Sequence, residues 1–293
     1  MCTVPPLHPA IATTRPGGRP YDLPDVEIEY TTADGVPVRV YVPRGTPAAV
    51  GLVWMHGGGF TQGGLDVPHA HLVSAQLAHR TPAVVVSVGY RLATGGVHYP
   101  VPHDDVRSAW AWACGRAREP GPAPERFAMG GASAGANLAV GVAQHLRDDG
   151  APLPAALLLA YPLVHEVVPE ASAELMARLA ELSGPVPGVR RFPPEAVTAM
   201  YRHYAGPRGG RYVHPATAGA AGLPPTLIVT AEYDDLRPSG EAFAAQLAAA
   251  GVRVDLAMAR GMPHSFLNWP PELPAISWTL RRFTRVLREL GRP

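Results

Sequence analysis

Short apolar runs of four to seven residues alternate along this chain with longer stretches in which apolar positions return every three or four residues. The short runs predict strands at 26–30, 36–42, 50–55, 83–88, 126–129, 155–161, 226–230 and 252–258. The periodic stretches predict helices at 68–78, 104–118, 134–147, 239–250 and 275–290, the second of them capped by Asp104. Ala33-Asp34-Gly35 lies between the first two strands and signals a hairpin, so these two are antiparallel. The later strands alternate with helices and are therefore parallel. The fold class is α/β, a mostly parallel, doubly wound eight-stranded sheet flanked by helices. A ligand site in such a sheet belongs at the carboxyl ends of the strands.

Two segments stand outside the alternation. Residues 1–24 form a Pro-rich arm, and residues 164–213 are inserted between the sixth and seventh strands, which divides the core into 25–163 and 214–293. The insertion carries helical patterns at 171–182 and 194–204. Leu175, Leu179 and Leu182 recur at the spacing of one helix face, and Met200, Tyr201 and Tyr204 suggest another.

Candidate chemistry follows from four fragments in fixed order: His56-Gly57-Gly58-Gly59-Phe60, Gly131-Ala132-Ser133-Ala134-Gly135, Asp234-Asp235-Leu236-Arg237 and His264-Ser265-Phe266. The second matches G-x-S-x-G between a strand and a helix, where the glycines let the chain turn sharply and lift a serine hydroxyl clear of the backbone. The first follows an apolar strand, so backbone N–H groups can approach a ligand there and stabilise negative charge developing on a carbonyl oxygen. Asp234 and His264 both fall on loops after strands, at the edge of the sheet where the serine lies. The order Ser, Asp, His is that of α/β-hydrolases and not that of the chymotrypsin or subtilisin types.

With the serine 77 positions after His56, the chain resembles the hormone-sensitive-lipase-like branch of the α/β-hydrolases, a group of esterases and lipases. The resemblance implies a triad of Ser133, His264 and Asp234. Its D-x-L-R pattern selects Asp234 as the acid and leaves Asp235 as a solvated or turn residue. It further implies an oxyanion hole from the N–H groups of Gly58, Gly59 and Ala134, with His56 and Gly57 supporting that loop. Residues 164–213 become a small helical lid, joined by the N-terminal arm, and Phe60, Leu175, Leu179, Met200 and Tyr204 become candidates for an acyl pocket. The stretch Gly89-Tyr90-Arg91-Leu92-Ala93-Thr94-Gly95 departs from the family's D-Y-R-L-A-P-E, and Ala132 and Ala136 depart from G-D-S-A-G-G. These changes bear on the pocket rim and the surroundings of the nucleophile, not on the triad.

The expected activity is hydrolysis of short to medium acyl esters. A deacetylase, lactonase or amidase would use the same triad, and a non-catalytic ligand-binding protein is the alternative from another class. The 293 residues suffice for one large domain, and a net charge of +1 favours neither nucleic acid nor an anionic surface. All 25 basic residues are arginine. Cys2 and Cys114 form no disulfide framework, residues 1–20 lack the apolar core of a secretory signal, and no apolar run is long enough to span a membrane. A cytoplasmic enzyme is therefore expected, needing no cofactor, with a small-molecule ester as its partner; a homodimer is one assembly open to it. His69-Ala70-His71 and the group His98, His103, Asp104, Asp105 lack metal-ligand spacing, so no metal site is expected.

Overall fold

A computed structural model describes residues 23–45, 47–116, 122–182 and 188–292. Most of the arm expected at 1–24, together with Cys2, lies outside them. Eight strands form one sheet: β1 Val26–Ala33, β2 Val36–Pro43, β3 Val50–Met55, β4 Ala83–Val88, β5 Phe127–Ala132, β6 Leu157–Ala160, β7 Thr226–Tyr233 and β8 Val254–Pro263, in the order β1-β2-β4-β3-β5-β6-β7-β8. β2 runs antiparallel to β1 and β4, and all other pairings are parallel. Asp34 and Gly35 close the first hairpin with φ of 48° and 89°, the left-handed pair that matches strand twist in a two-residue turn.

The central strands β3, β5, β6 and β7 are buried along their whole length, as expected of parallel strands covered on both faces. Helices α1 (Pro68–Arg80) and α7 (Pro274–Leu290) cover one face, where Val73 and Leu77 join Phe283 and Leu287 around Trp54. Helices α2 (Val101–Arg116), α3 (Ala134–Asp148) and α6 (Arg237–Ala249) cover the other, where Val106, Leu138 and Phe243 pack on Val53, Met129 and Ile228. Two further helices, α4 (Ala173–Glu181) and α5 (Pro194–Ala205), belong to the insertion after β6. Among the described residues, no helix is long and apolar enough to cross a membrane.

Several strands run further than their apolar patterns, and three of these bear on the site. β5 continues through Gly130 and Gly131, which pair with Trp54 and Met55 on one side and Leu158 and Leu159 on the other, so neighbouring ladders hold a backbone whose own side chains say nothing. β7 extends to Tyr233 and β8 to Pro263, which brings both strand ends to the candidate acid and base. Helix α2 starts at Val101, three residues before the expected Asp104 cap. Asp104 N–H donates to Pro100 O, so Asp104 is already helical, and its carboxylate lies in the first turn where the helix dipole favours it.

The insertion is pinned to α3 by a polar residue that the apolar pattern passes over. Asn137 is fully buried, and its Nδ2 lies 3.0 Å from Leu163 O, 3.2 Å from Val213 O and 2.8 Å from Tyr201 Oη. One amide thus reaches the start, the middle and the end of the inserted segment. Replacing Asn137 with Ala should leave the buried Val213 carbonyl without its donor, while Leu163 O keeps Tyr201 Oη, and cost about 1 to 3 kcal/mol in urea unfolding, with the sheet otherwise intact by circular dichroism.

Candidate active site

Ser133 stands between β5 and α3 with φ 54° and ψ −116°, a backbone state uncommon for a residue bearing a Cβ. Its N–H donates to Ala160 O at 2.9 Å, so the sheet holds the turn from one side. Helix α3 holds it from the other and can do so only because residue 135 is glycine. A Cβ at Gly135 would lie 2.4 Å from both Met55 O and His56 O. The glycine loop after β3 meets the same turn, since a Cβ on Gly57 would lie 3.2 Å from Ser133 Cβ.

His264 Nε2 lies 2.9 Å from Ser133 Oγ, and His264 Nδ1 lies 2.7 Å from Asp234 Oδ2. Asp234 Oδ1 accepts from Leu236 N–H at 2.9 Å, which fixes the rotation of the carboxylate. All three side chains are buried, with residue exposures of 5%, 2% and 1% for Ser133, His264 and Asp234. The arrangement allows a proton to pass from the hydroxyl to an imidazole whose other nitrogen faces a fixed carboxylate. The N–H groups of Gly58, Gly59 and Ala134 have no hydrogen-bond partner among the described residues. Ala134 opens the 15-residue helix α3, whose dipole favours negative charge at that end.

Asp235 is a turn residue, as the motif suggests, but its carboxylate is bound and not solvated. Arg191 binds it through Nε and Nη2, each at 2.8 Å, and Phe192 N–H donates to it at 2.8 Å. This tie sets Phe192 edge-on to His264, with ring centroids 4.6 Å apart, while Tyr161 meets the imidazole at 4.9 Å. Neither aromatic residue is marked by any spacing in the sequence.

Two further histidines hold the glycine loop. His56 Nδ1 donates to Gly57 O at 2.7 Å, and its ring stacks on Tyr90 at 4.2 Å. His69 Nε2 accepts from Gly57 N–H at 2.9 Å, a role that the H-x-H pattern in the sequence does not signal. The neighbouring His71 is engaged instead by Arg39 and Tyr41. The stretch that departs from the family motif also touches the site's surroundings, with Ala93 N–H donating to Phe60 O and Ala93 O facing His203 Nε2 at 2.6 Å.

A cavity of about 340 Å³ opens beside Gly58 and Gly59, bounded by Phe192, Ala196, Met200 and His203. Of the five residues considered for an acyl pocket, Met200 lines this cavity. Phe60 and Tyr204 stack on each other at 3.9 Å behind the glycine loop, both fully buried. Leu175 and Leu179 are buried on α4, which packs against β7, and Leu182 is the C-cap of that helix. A larger cleft of about 460 Å³ lies at the amino ends of β7 and β8, around Thr226 and Asp255, on the far side from Ser133.

Burial pushes His56 down to about 4 and His69 down to about 3, so both imidazoles are neutral in the fold. In the unfolded chain histidine titrates near 6.5, so below that pH the unfolded state binds more protons than the folded state. The stability these two residues contribute is therefore complete above about pH 6.5 and is lost as pH falls through 4 and 3, at about 1.4 kcal/mol per pH unit for each. Urea midpoints should drop between about pH 7 and about pH 4.5. His69→Gln, which keeps an acceptor for Gly57 but does not titrate, should remove one proton from that slope.

Comparison with known proteins identifies the fold and the family. A sequence profile described as the alpha/beta hydrolase fold matches residues 52–268. Carboxylesterase NlhH of Mycobacterium tuberculosis is 37% identical over 285 residues, covering 91% of this chain and 83% of the relative. Ethyl acetate hydrolase of Pseudomonas putida is 34% identical over 270 residues, covering 84% and 77%. Among solved structures, an esterase from the bacterial hormone-sensitive lipase family superposes with a TM-score of 0.80 at 27% identity, covering 96% of this chain and 90% of the other. With the profile spanning β3 through His264 and relatives matched over most of its length, the chain belongs to the α/β-hydrolase family, in its hormone-sensitive-lipase-like branch.

Proposed function

We propose that the protein is a serine carboxylesterase that hydrolyses short to medium acyl esters of small molecules in two acyl-transfer steps. The observation that carries this reading is the continuous hydrogen-bonded chain from Ser133 Oγ through His264 to Asp234, at 2.9 Å and 2.7 Å. Ser133 attacks the ester carbonyl while His264 Nε2 takes its proton, and Asp234 orients the imidazole and stabilises it once charged. The oxyanion accepts hydrogen bonds from Gly58, Gly59 and Ala134. His264 then protonates the departing alcohol, and water repeats the sequence on the acyl-enzyme.

Relatives named as a carboxylesterase and an ethyl acetate hydrolase support ester hydrolysis as the reaction. The cavity of about 340 Å³ sits near the lower end of ordinary ligand pockets, about 300 to 1,000 Å³, and so suits a short chain. Residues 164–213 act as the lid. A His264 within reach of both its partners favours catalysis over a ligand-binding role on the same fold.

Ser133→Ala should lower kcat for p-nitrophenyl acetate by about three orders of magnitude or more, and His264→Ala by a comparable factor. The double variant should be no worse than either single one, because the residues share one proton transfer. A fluorophosphonate should label the parent one-to-one on Ser133. An unlabelled, folded parent would sink the esterase reading.

Chain-length preference should follow the cavity wall. Met200→Trp fills the cavity, so the hexanoate to acetate ratio of kcat/KM should fall by about tenfold or more, since each methylene in an apolar pocket is worth about 1 to 3 kcal/mol. Leu179→Trp should leave that ratio alone and lower the melting temperature, because Leu179 is buried away from the cavity.

A further inference from the structure

Glu232 is a fully buried carboxylate on β7, two residues before Asp234, and the mechanism makes no use of it. Taking a carboxylate out of water is costly, so a fold keeps one only where its bonds are needed. Its surroundings show what it bonds. The β7–β8 ladder is regular through Ala231↔Ala259, then shifts, and resumes at Tyr233↔Pro263. Across the shift, one residue of β7 faces three of β8: Arg260, Gly261 and Met262. The extra length re-aims the end of β8, the general effect of a bulge. His264 is the residue immediately after that end.

A bulge takes backbone groups out of the ladder, and Gly261 is buried where water cannot replace the lost partner. Glu232 Oε2 accepts from Gly261 N–H at 2.7 Å. Its other oxygen, Oε1, makes no hydrogen bond, but Arg178 Nε of α4 and Arg260 Nη1 each lie 3.8 Å away. The buried charge is thus balanced by two guanidinium groups, while the single directional bond goes to the bulge.

We propose that Glu232 is a positioning residue for the esterase reaction, a side-chain staple across the β7–β8 bulge that holds His264 in register with Asp234 and Ser133. The inference rests on the esterase reading above. The staple joins the strand that delivers the acid to the strand that delivers the base. Its failure would let the imidazole drift while Ser133 and the glycine loop stay in place.

Two substitutions separate reach from charge. Glu232→Gln keeps the length of the side chain and an oxygen for Gly261 N–H but removes the charge. Glu232→Asp keeps the charge but withdraws the oxygen by one methylene. With p-nitrophenyl acetate, Glu232→Asp should lose about tenfold to about a hundredfold in kcat with KM within about twofold of the parent, the scale expected when a reacting group is misplaced by about an ångström. Glu232→Gln should keep at least about a third of parental kcat, a far smaller loss than that misplacement brings. The downfield proton resonance of His264 Nδ1–H, which reports its bond to Asp234, should persist in Glu232→Gln and broaden or vanish in folded Glu232→Asp. Equal activity in all three proteins overturns the staple, and so does a Gln variant as impaired as the Asp variant. Fluorophosphonate labelling of the parent keeps the two readings apart: a labelled parent with an unaffected Asp variant rejects only the staple, whereas an unlabelled parent rejects the esterase itself.

Discussion

The carboxyl ends of β3 and β5 meet backbone to backbone, and the candidate site depends on that contact. At Gly57, Gly131 and Gly135 a single extra carbon would drive one chain into the other. Because the two strands are parallel neighbours, the loop that follows β3 and the turn that follows β5 arrive at the same place from the same direction. This packing brings the turn that carries Ser133 against the glycine loop that follows β3.

Around that junction, three histidines perform different tasks because their partners differ. His264 offers one nitrogen to a hydroxyl and the other to a carboxylate. His69 spends an acceptor nitrogen on Gly57 N–H, and His56 donates to Gly57 O. Burial without a carboxylate partner holds the latter two neutral, which suits groups that anchor a loop by fixed donor and acceptor roles. One residue type thus serves as candidate base and as scaffold within the same few ångströms.

Charged and polar groups on and after β7 help to attach the helical insertion to the body. Arg237 of α6 binds Glu174 at 2.9 Å, Tyr233 Oη donates to Glu181 at 2.8 Å, and Asp235 holds Arg191 and Phe192. These partners lie on or just after β7, so the element that carries Asp234 also anchors the segment beside the cavity. Leu175 and Leu179 serve this attachment, whereas Met200 reaches the glycine loop.

The alternation of apolar runs and helical periods was enough to place eight strands, their mostly parallel arrangement and the edge of the sheet at which Ser133, Asp234 and His264 gather, because burial on two faces and sharp glycine turns leave local signatures. The spacing of the fragments likewise marked the glycine loop and the family. Sequence alone could not show that Asp235 anchors Phe192 against His264, that His69 holds Gly57, that Leu179 turns away from the cavity, or that Glu232 spans a bulge. Each of these depends on a partner far along the chain: 43 residues separate Asp235 from Phe192, and 29 separate Glu232 from Gly261. Local periodicity reports which face of an element is buried. What that face is buried against, and which lone polar group satisfies a distant backbone N–H, is decided only when the strands are laid side by side and every buried donor must find its acceptor.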